Sequence, residues 1–397
     1  MRSGKWARPL FVVIPIMAVF AAGCGDFWQA PSTSTTCTTN CTTASSSDFY
    51  ILNAGSTPGI VGLSIASGTL TDVGSSVSLG DAIPYSMAIA PNGDFLMVST
   101  TTGVLAFPIT NGVVGTAVAV TQDLAYSVAV DATDSWLIEA VPGTGGVGIF
   151  AVPIDSTTGA NNGKTQPVTI TLANAAVQTN KMVISPDNAN IFVALGPAGT
   201  IVLPFNAGVA SGSNPLGSTY TPIPVLHTSG EAYSVAVDSS TTPRLFYIGE
   251  YLGNSGGTSG GLRVFNYSSL GTSALTQVSG SPFASGGLSP NYILPDASGD
   301  YVYVANGAGP STAGNITGFT ITASGTTYSV ASTTSTAAGV LPLAMAEDST
   351  GTFVFEVGSS GSPYFDAYTF DTTTAGQLDS EVVSNTAASS IAIVAAP

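Results

Sequence analysis

Basic side chains are scarce in this sequence. Seven Lys and Arg residues stand beside 23 Asp and Glu, the formal net charge is −16, and His227 is the single histidine. Nucleic-acid phosphates and anionic membrane surfaces are both bound through clusters of Lys and Arg. We therefore expect this protein to bind no nucleic acid and to have no electrostatic attraction to a lipid surface.

Long apolar runs are also rare, and the one that stands out is at the N-terminus. Three basic residues among the first eight precede an apolar run from Leu10 to Phe20, and Ala-Ala-Gly then leads to Cys24. This order is typical of an export signal. The residues around Cys24 resemble the lipobox of bacterial lipoproteins, which implies that Cys24 carries a lipid. An ordinary signal peptide or an uncleaved anchor helix is the alternative.

These features predict where the protein is located. We predict a lipoprotein signal peptide over residues 1–23, lipidation of Cys24, and export to the periplasm or the cell surface. No later run reaches the roughly twenty apolar residues that a membrane-spanning helix requires. We therefore expect the lipid to be the only attachment to the membrane.

Cysteine is confined to the first 41 residues. Residues 24–47 are rich in Ser and Thr without strand alternation, so we predict a flexible tether there. The tether contains Cys37 and Cys41, for which an oxidising exported compartment favours a disulfide. Zinc is the weaker alternative, because no further Cys and no nearby His would complete four ligands. We expect no metal and no cofactor, and residues 48–397 must be held together by burial alone.

A repeat of about fifty residues, a spacing typical of β-propeller blades, occupies the rest of the chain. Each unit has an apolar run, a turn with Asp, Asn, Ser or Gly, a second apolar run and a glycine-flanked third. It reads Ser-Met-Ala-Ile-Ala-Pro-Asn-Gly-Asp-Phe-Leu-Met-Val from Ser86, starts again at Ser127, and returns at 182–193, 234–247, 293–304 and 345–355. Short strands at this period predict an all-β propeller with one blade in each repeat.

The two ends of the repeat region predict how the ring closes. Six units carry their own innermost strand, while the candidate strands Asp48–Asn53, Gly59–Ile65 and Thr69–Val73 have none before them. A solitary apolar segment, Ser389–Ala395, follows the last unit. Three strands from one end and one from the other make a composite blade, which removes the exposed sheet edges. We predict seven blades and a single domain over 48–397.

The blade motif resembles the repeat of the seven-bladed lactonase-like propellers. Pro-Asp-Ala-Ser-Gly-Asp-Tyr-Val-Tyr-Val-Ala-Asn at Pro295–Asn306 and Gly-Asn-Ile-Thr-Gly-Phe-Thr-Ile at Gly314–Ile321 carry the likeness. That family includes propeller-type 6-phosphogluconolactonases and surface-layer propellers with Tyr-Val-Thr-Asn repeats. Kelch propellers have the same period, but their paired glycines recur at one fixed place, and the glycine pairs here do not. The resemblance implies a ligand site at the channel mouth, where lactonases gather His, Arg and Glu side chains.

Five polar residues are candidates for that mouth. His227 and Glu231 lie just before the inner strand of the fifth blade, Glu250 ends its second strand and Arg263 begins its third. Lys181 precedes the inner strand of the fourth blade. A base could activate water and cations could stabilise an oxyanion. The alternatives are a solvated loop around His227 and Glu231, and an Arg263 that pairs with a local carboxylate to hold a loop.

Two functions remain open from the sequence. The favoured one is an exported binding module, a monomer whose channel mouth takes an envelope protein, a glycan or a small molecule. The other is a lactonase-like hydrolase of a sugar lactone. The single histidine and the shortage of arginine make this second function less favoured. Propellers serve both purposes, so the architecture does not decide between them. We leave the catalytic residues unassigned.

Overall fold

The structure is a computed structural model that describes residues 48–397 apart from 67–68, 173–176, 211, 241, 273, 308–313, 340, 360–363 and 385–388. Cys24, Cys37 and Cys41 therefore lie outside the described residues. The described part is all-β, with a 3-10 turn at Tyr267–Ser269 as its helical element. Within it, no helix is long and apolar enough to cross a membrane.

The strands of the first half follow the repeat. The first three are β1 (Phe49–Asn53), β2 (Gly59–Ala66) and β3 (Thr69–Ser78). The next five are β4 (Pro84–Ile89), β5 (Phe95–Thr100), β6 (Gly103–Thr110), β7 (Val113–Val114) and β8 (Val118–Thr121). They are followed by β9 (Ser127–Val130), β10 (Trp136–Gly143), β11 (Gly146–Pro153) and β12 (Gln166–Thr171). The fourth group is β13 (Lys181–Ile184), β14 (Asn190–Ala194), β15 (Thr200–Pro204) and β16 (Thr221–Ile223).

The second half continues in the same way. The fifth group is β17 (Glu231–Val237), β18 (Leu245–Tyr251), β19 (Gly261–Asn266) and β20 (Phe283–Ala284). The sixth is β21 (Ser289–Pro295), β22 (Tyr301–Gly307), β23 (Asn315–Ser324) and β24 (Thr327–Ala337). The last strands are β25 (Pro342–Glu347), β26 (Phe353–Gly358), β27 (Phe365–Phe370), β28 (Leu378–Ser384) and β29 (Ser390–Ala395).

These strands form seven antiparallel sheets, which confirms the predicted seven-bladed propeller. Blade 1 has the order β29-β1-β2-β3, and blades 2 to 7 follow in chain order. β29 pairs with β1 so that Ile393 stands opposite Ile51, and Ala396 N donates to Asp48 O at 2.9 Å. The C-terminal strand therefore closes the ring as the sequence predicted.

The inner strands of the blades surround a central channel. They are β29, β4, β9, β13, β17, β21 and β25, and each contacts the inner strand of the next blade until β29 meets β4. Seven apolar clusters of described residues lie between neighbouring blades, one for each pair. Between blades 7 and 1, for example, Phe49 stacks on Phe355 with ring centroids 4.2 Å apart. The apolar runs of the repeat are thus explained by sheets that are covered on both faces.

Acidic turns join the inner strand of a blade to its second strand. Asp131, Asp296 and Asp348 each accept a backbone N–H from the start of the second strand, at 2.7, 2.9 and 2.6 Å respectively. An Asp side chain that bonds the backbone in this way stabilises a tight turn. These turns lie at the end of the channel opposite the start of the inner strands.

Candidate functional site

All seven blades meet at the mouth of the channel. A cavity of about 540 Å³ opens there. Its lining residues come from the beginnings of the inner strands: Pro84, Tyr85, Tyr126, Gln178, Thr179, Asn180, Tyr233, Asn291, Leu343 and Ile391. Cavities of this size, with a few polar groups among apolar ones, are typical of small-molecule sites.

One residue from the same repeat position of every blade forms a ring around this cavity. The mouth ring consists of Ile391, Tyr85, Tyr126, Asn180, Tyr233, Asn291 and Leu343, in the order of blades 1 to 7. In five blades this residue is a β-bulge, because the pairing with the second strand skips it: Tyr85, Tyr233, Asn291, Leu343 and Ile391. A bulge changes the direction of a side chain at the end of a ladder. The repeated bulge therefore explains why these side chains line the mouth.

The tyrosines of the mouth ring present aromatic surface together with hydroxyl groups. Tyr85 and Tyr126 stack with centroids 4.6 Å apart, and Tyr126 is 41% exposed. Tyr233 stacks on Tyr251 at 5.9 Å. Burial, and next the nearby carboxylate of Glu231, raise the pKa of Tyr233. Its hydroxyl therefore remains a neutral hydrogen-bonding group.

The two asparagines of the mouth ring are fixed by the following blade. Asn180 donates through Nδ2 to the carbonyl of Ala232 at 2.8 Å, and Asn291 donates in the same way to Pro342 at 2.8 Å. Each bond crosses from one blade to its neighbour, so the amide plane is held by two inner strands. Held amides are preorganised hydrogen-bonding groups, which lose little entropy when a ligand binds.

Lys181 lies inside the channel, beneath the mouth ring. Its Nζ is 4.4 Å from the centroid of the Tyr292 ring. The two residues belong to the inner strands of blades 4 and 6, so the side chains meet across the channel interior. A smaller cavity of about 100 Å³ is lined by both of them. Of the five candidate residues, Lys181 is the one that lines this smaller cavity among the described residues.

Glu250 and Arg263 form a buried ion pair in blade 5. Arg263 Nη1 lies 2.6 Å from Glu250 Oε1, and the two side chains are 7% and 1% exposed. The same Nη1 donates to Pro224 O at 2.8 Å, while Leu226 N donates to Glu250 Oε2 at 3.0 Å. Both partners therefore hold the loop between β16 and β17, which contains His227.

His227 lies within this loop, and Glu231 is the first residue of the strand that follows it. His227 is half-buried, its Nε2 lies 2.8 Å from Asn254 O, and its ring packs against Gly257. This contact joins the β16–β17 loop to the β18–β19 loop. The structure therefore places His227, Glu250 and Arg263 in contacts that hold the β16–β17 loop, outside the residues that line the mouth cavity.

Replacing Arg263 should destabilise the domain strongly. Arg263→Met leaves the buried Glu250 carboxylate without its counter-charge, for which we expect a loss of about 3–5 kcal/mol in the free energy of unfolding. Lys164 is exposed, so Lys164→Met should change it by less than about 0.5 kcal/mol. Urea unfolding of both variants measures the difference. Equal stability of the two variants would contradict a structural role for the ion pair.

The tyrosines and asparagines of the mouth ring are not among the residues predicted from the sequence. The predicted candidates are all charged or titratable side chains such as Lys181 and His227, whereas the ring is made of neutral ones. The signal was present, since each of these residues stands five positions before the turn residue that ends the inner run, such as Asp131 after Tyr126 and Asp296 after Asn291. Aligning the repeats on that turn would have placed them in one ring. It would not have shown that a bulge turns them toward the channel.

Comparison with known proteins identifies the fold and no closer relationship. No protein-family model and no curated protein matches this chain. A candidate 6-phosphogluconolactonase from Bacteroides uniformis has a TM-score of 0.62 and 15% identity, over 87% of this chain and 98% of its own. The periplasmic gluconolactonase of Pseudomonas aeruginosa has a TM-score of 0.62 and 15% identity, over 88% and 99%. The resemblance to lactonase-like propellers is therefore confirmed for the fold.

Proposed function

We propose that this protein is a saccharide-binding module of the cell envelope, exported and attached by a lipid on Cys24. The observation that carries the proposal is the mouth ring, in which three tyrosines and two asparagines surround a cavity of about 540 Å³. Tyrosine rings offer an apolar face and a polar hydroxyl. Amides offer both a donor and an acceptor. Sugar rings present apolar C–H faces and hydroxyl edges, and this combination of groups suits both.

The envelope location is supported by the sequence of residues 1–47. The basic start, the apolar run and the lipobox-like residues before Cys24 favour export and lipidation, and the Ser- and Thr-rich tether would carry the propeller away from the membrane. A net charge of −16 disfavours polyanionic partners such as nucleic acid or an anionic lipid surface. The binding face is then the channel mouth.

A lactonase would need a base and an oxyanion-stabilising group at the mouth. Two of the described side chains that could serve are engaged with other partners. His227 contacts Asn254 O, and Arg263 is paired with Glu250. Proteins named as lactonases have similar folds, but each is 15% identical or less to this chain. The activity of this chain therefore has to be tested directly.

Tyr126→Ala should weaken saccharide binding about tenfold, because it removes one half of the exposed Tyr85–Tyr126 stack. A glycan array with the purified domain identifies the saccharides, and calorimetry compares the variants. Tyr328→Ala, on the outer strand β24, is the control and should bind as the wild type does. Wild-type protein that binds no glycan, or that opens gluconolactone well above the spontaneous rate, would contradict the proposal; the second result would establish the hydrolase instead.

A further inference from the structure

Lys181 and Tyr292 are exceptions in a second ring of the channel. The residues that directly follow the mouth ring are Ala392, Ser86, Ser127, Lys181, Ser234, Tyr292 and Ala344, in the order of blades 1 to 7, and all but Ser234 line the inner cavity. Five of these are small. The two large ones come from blades 4 and 6 and face each other, with Lys181 Nζ 4.4 Å from the Tyr292 centroid. Lys181 thus places a positive charge at a position where five of the other repeats have a small, neutral side chain.

The charge of Lys181 is uncompensated among the described residues. Four basic side chains are present there, and two have acidic partners: Arg244 lies 2.8 Å from Asp238, and Arg263 lies 2.6 Å from Glu250. Lys164 is exposed on the outer part of blade 3. Lys181 has no carboxylate within ion-pair distance in the described part of the chain. Its ammonium group therefore keeps hydrogen-bonding capacity for a ligand.

The ammonium group lies directly below the proposed saccharide site. The inner cavity of about 100 Å³ shares six lining residues with the mouth cavity: Tyr85, Tyr126, Asn180, Asn291, Leu343 and Ile391. The inner cavity also contains Lys181 and Tyr292. A ligand that fills the mouth can therefore extend a small group downward to the lysine.

We propose that Lys181 binds the carboxylate of an acidic saccharide, so that the preferred ligand contains a uronic acid. The inference rests on the proposed saccharide-binding function. A lysine ammonium forms a charge-assisted hydrogen bond with a carboxylate, which is stronger than a neutral one. One lysine matches the single charge of a carboxylate. In a chain with a net charge of −16, this local charge is what allows an anion to enter the channel.

A sugar acid and its neutral methyl ester test this assignment. Digalacturonic acid and its dimethyl ester are titrated into the full domain by calorimetry, and we expect the acid to bind at least about tenfold more tightly. Lys181→Gln should abolish this preference and leave affinity for the ester unchanged, whereas Lys181→Arg should keep the preference. Lys164→Gln is the matched control and should behave as the wild type. Thermal melts check that each variant is folded.

The outcomes separate the two proposals. If wild-type protein binds acid and ester equally, or if Lys181→Gln keeps the preference, the role of Lys181 is overturned and saccharide binding stands. If the protein binds neither of these sugars, the role of Lys181 is also overturned. The neutral glycans of the array then decide separately whether the saccharide-binding function is retained.

Discussion

Deleting Ser389–Pro397 should cost the propeller its cooperative fold. The deletion removes β29, whose Ile393 packs between blades 1 and 7 while its neighbours pack against blade 2. Burial of each large aliphatic side chain contributes about 1.5–3 kcal/mol. The loss of several such side chains approaches the total stability of a typical domain, about 5–15 kcal/mol. The unpaired edge of β1 would also favour aggregation. Thermal unfolding followed by circular dichroism should therefore show no sharp transition.

A second truncation serves as the control. Removing residues 24–47 leaves every described strand in place, so it should not change the melting temperature. Adding a peptide of residues 389–397 to the shortened domain should partly restore its transition, because that peptide can pair with β1. A domain without β29 that melts like the full one would contradict closure of the ring as the source of stability.

The domain should become less stable as pH rises from about 5 to 8. Glu139 and Glu356 are fully buried on second strands, in place of the valines of other repeats. Burial raises the pKa of Glu139 to about 8, although Thr121 Oγ1 donates to it at 2.5 Å. Burial, and next the charge of Asp366 on the facing strand, raise the pKa of Glu356 to about 8.

The sign of the effect follows from proton binding. Between the ordinary pKa of 4.5 and the folded value of about 8, the folded state holds protons that the unfolded state has released. The stabilisation is therefore complete below about pH 4.5 and declines until about pH 8, with a slope of about 1.4 kcal/mol per pH unit for each group. Melting temperatures measured across this range should fall accordingly.

Glutamine substitutions test the assignment of this pH dependence. Glu139→Gln and Glu356→Gln keep the side-chain shape and remove the charge, so each should raise the melting temperature at pH 8 and flatten its pH profile. The exposed Asp72→Asn is the control and should leave the profile unchanged. If the profile of the double glutamine variant is as steep as that of the wild type, other groups cause the pH dependence.

The architecture of this protein could be predicted from its amino-acid sequence alone. The fold is built from one repeated unit, so the same strand pattern recurs along the sequence. Imperfect copies of that pattern therefore support the same prediction. The apolar runs at β5, β10, β14, β22 and β26 indicated strands because sheets buried on both faces need continuous apolar residues. The unmatched strands at the two ends predicted the composite blade, because a propeller with an open edge would aggregate. The N-terminal export and lipid signals are likewise properties of the sequence and stay predictions.

The side chains that face the channel could be identified only from the folded structure. Alternation along an inner strand predicts opposite faces for Tyr233 and Ser234, but the bulge at Tyr233 breaks that rule. The partners of the charged side chains could not be predicted from the sequence either. Arg263 contacts Glu250 on the neighbouring strand of its own blade, whereas Lys181 contacts Tyr292, which is two blades away. A linear pattern reports periodicity and turn chemistry. It cannot report the arrangement of seven strand ends around one axis, because that arrangement depends on long-range packing.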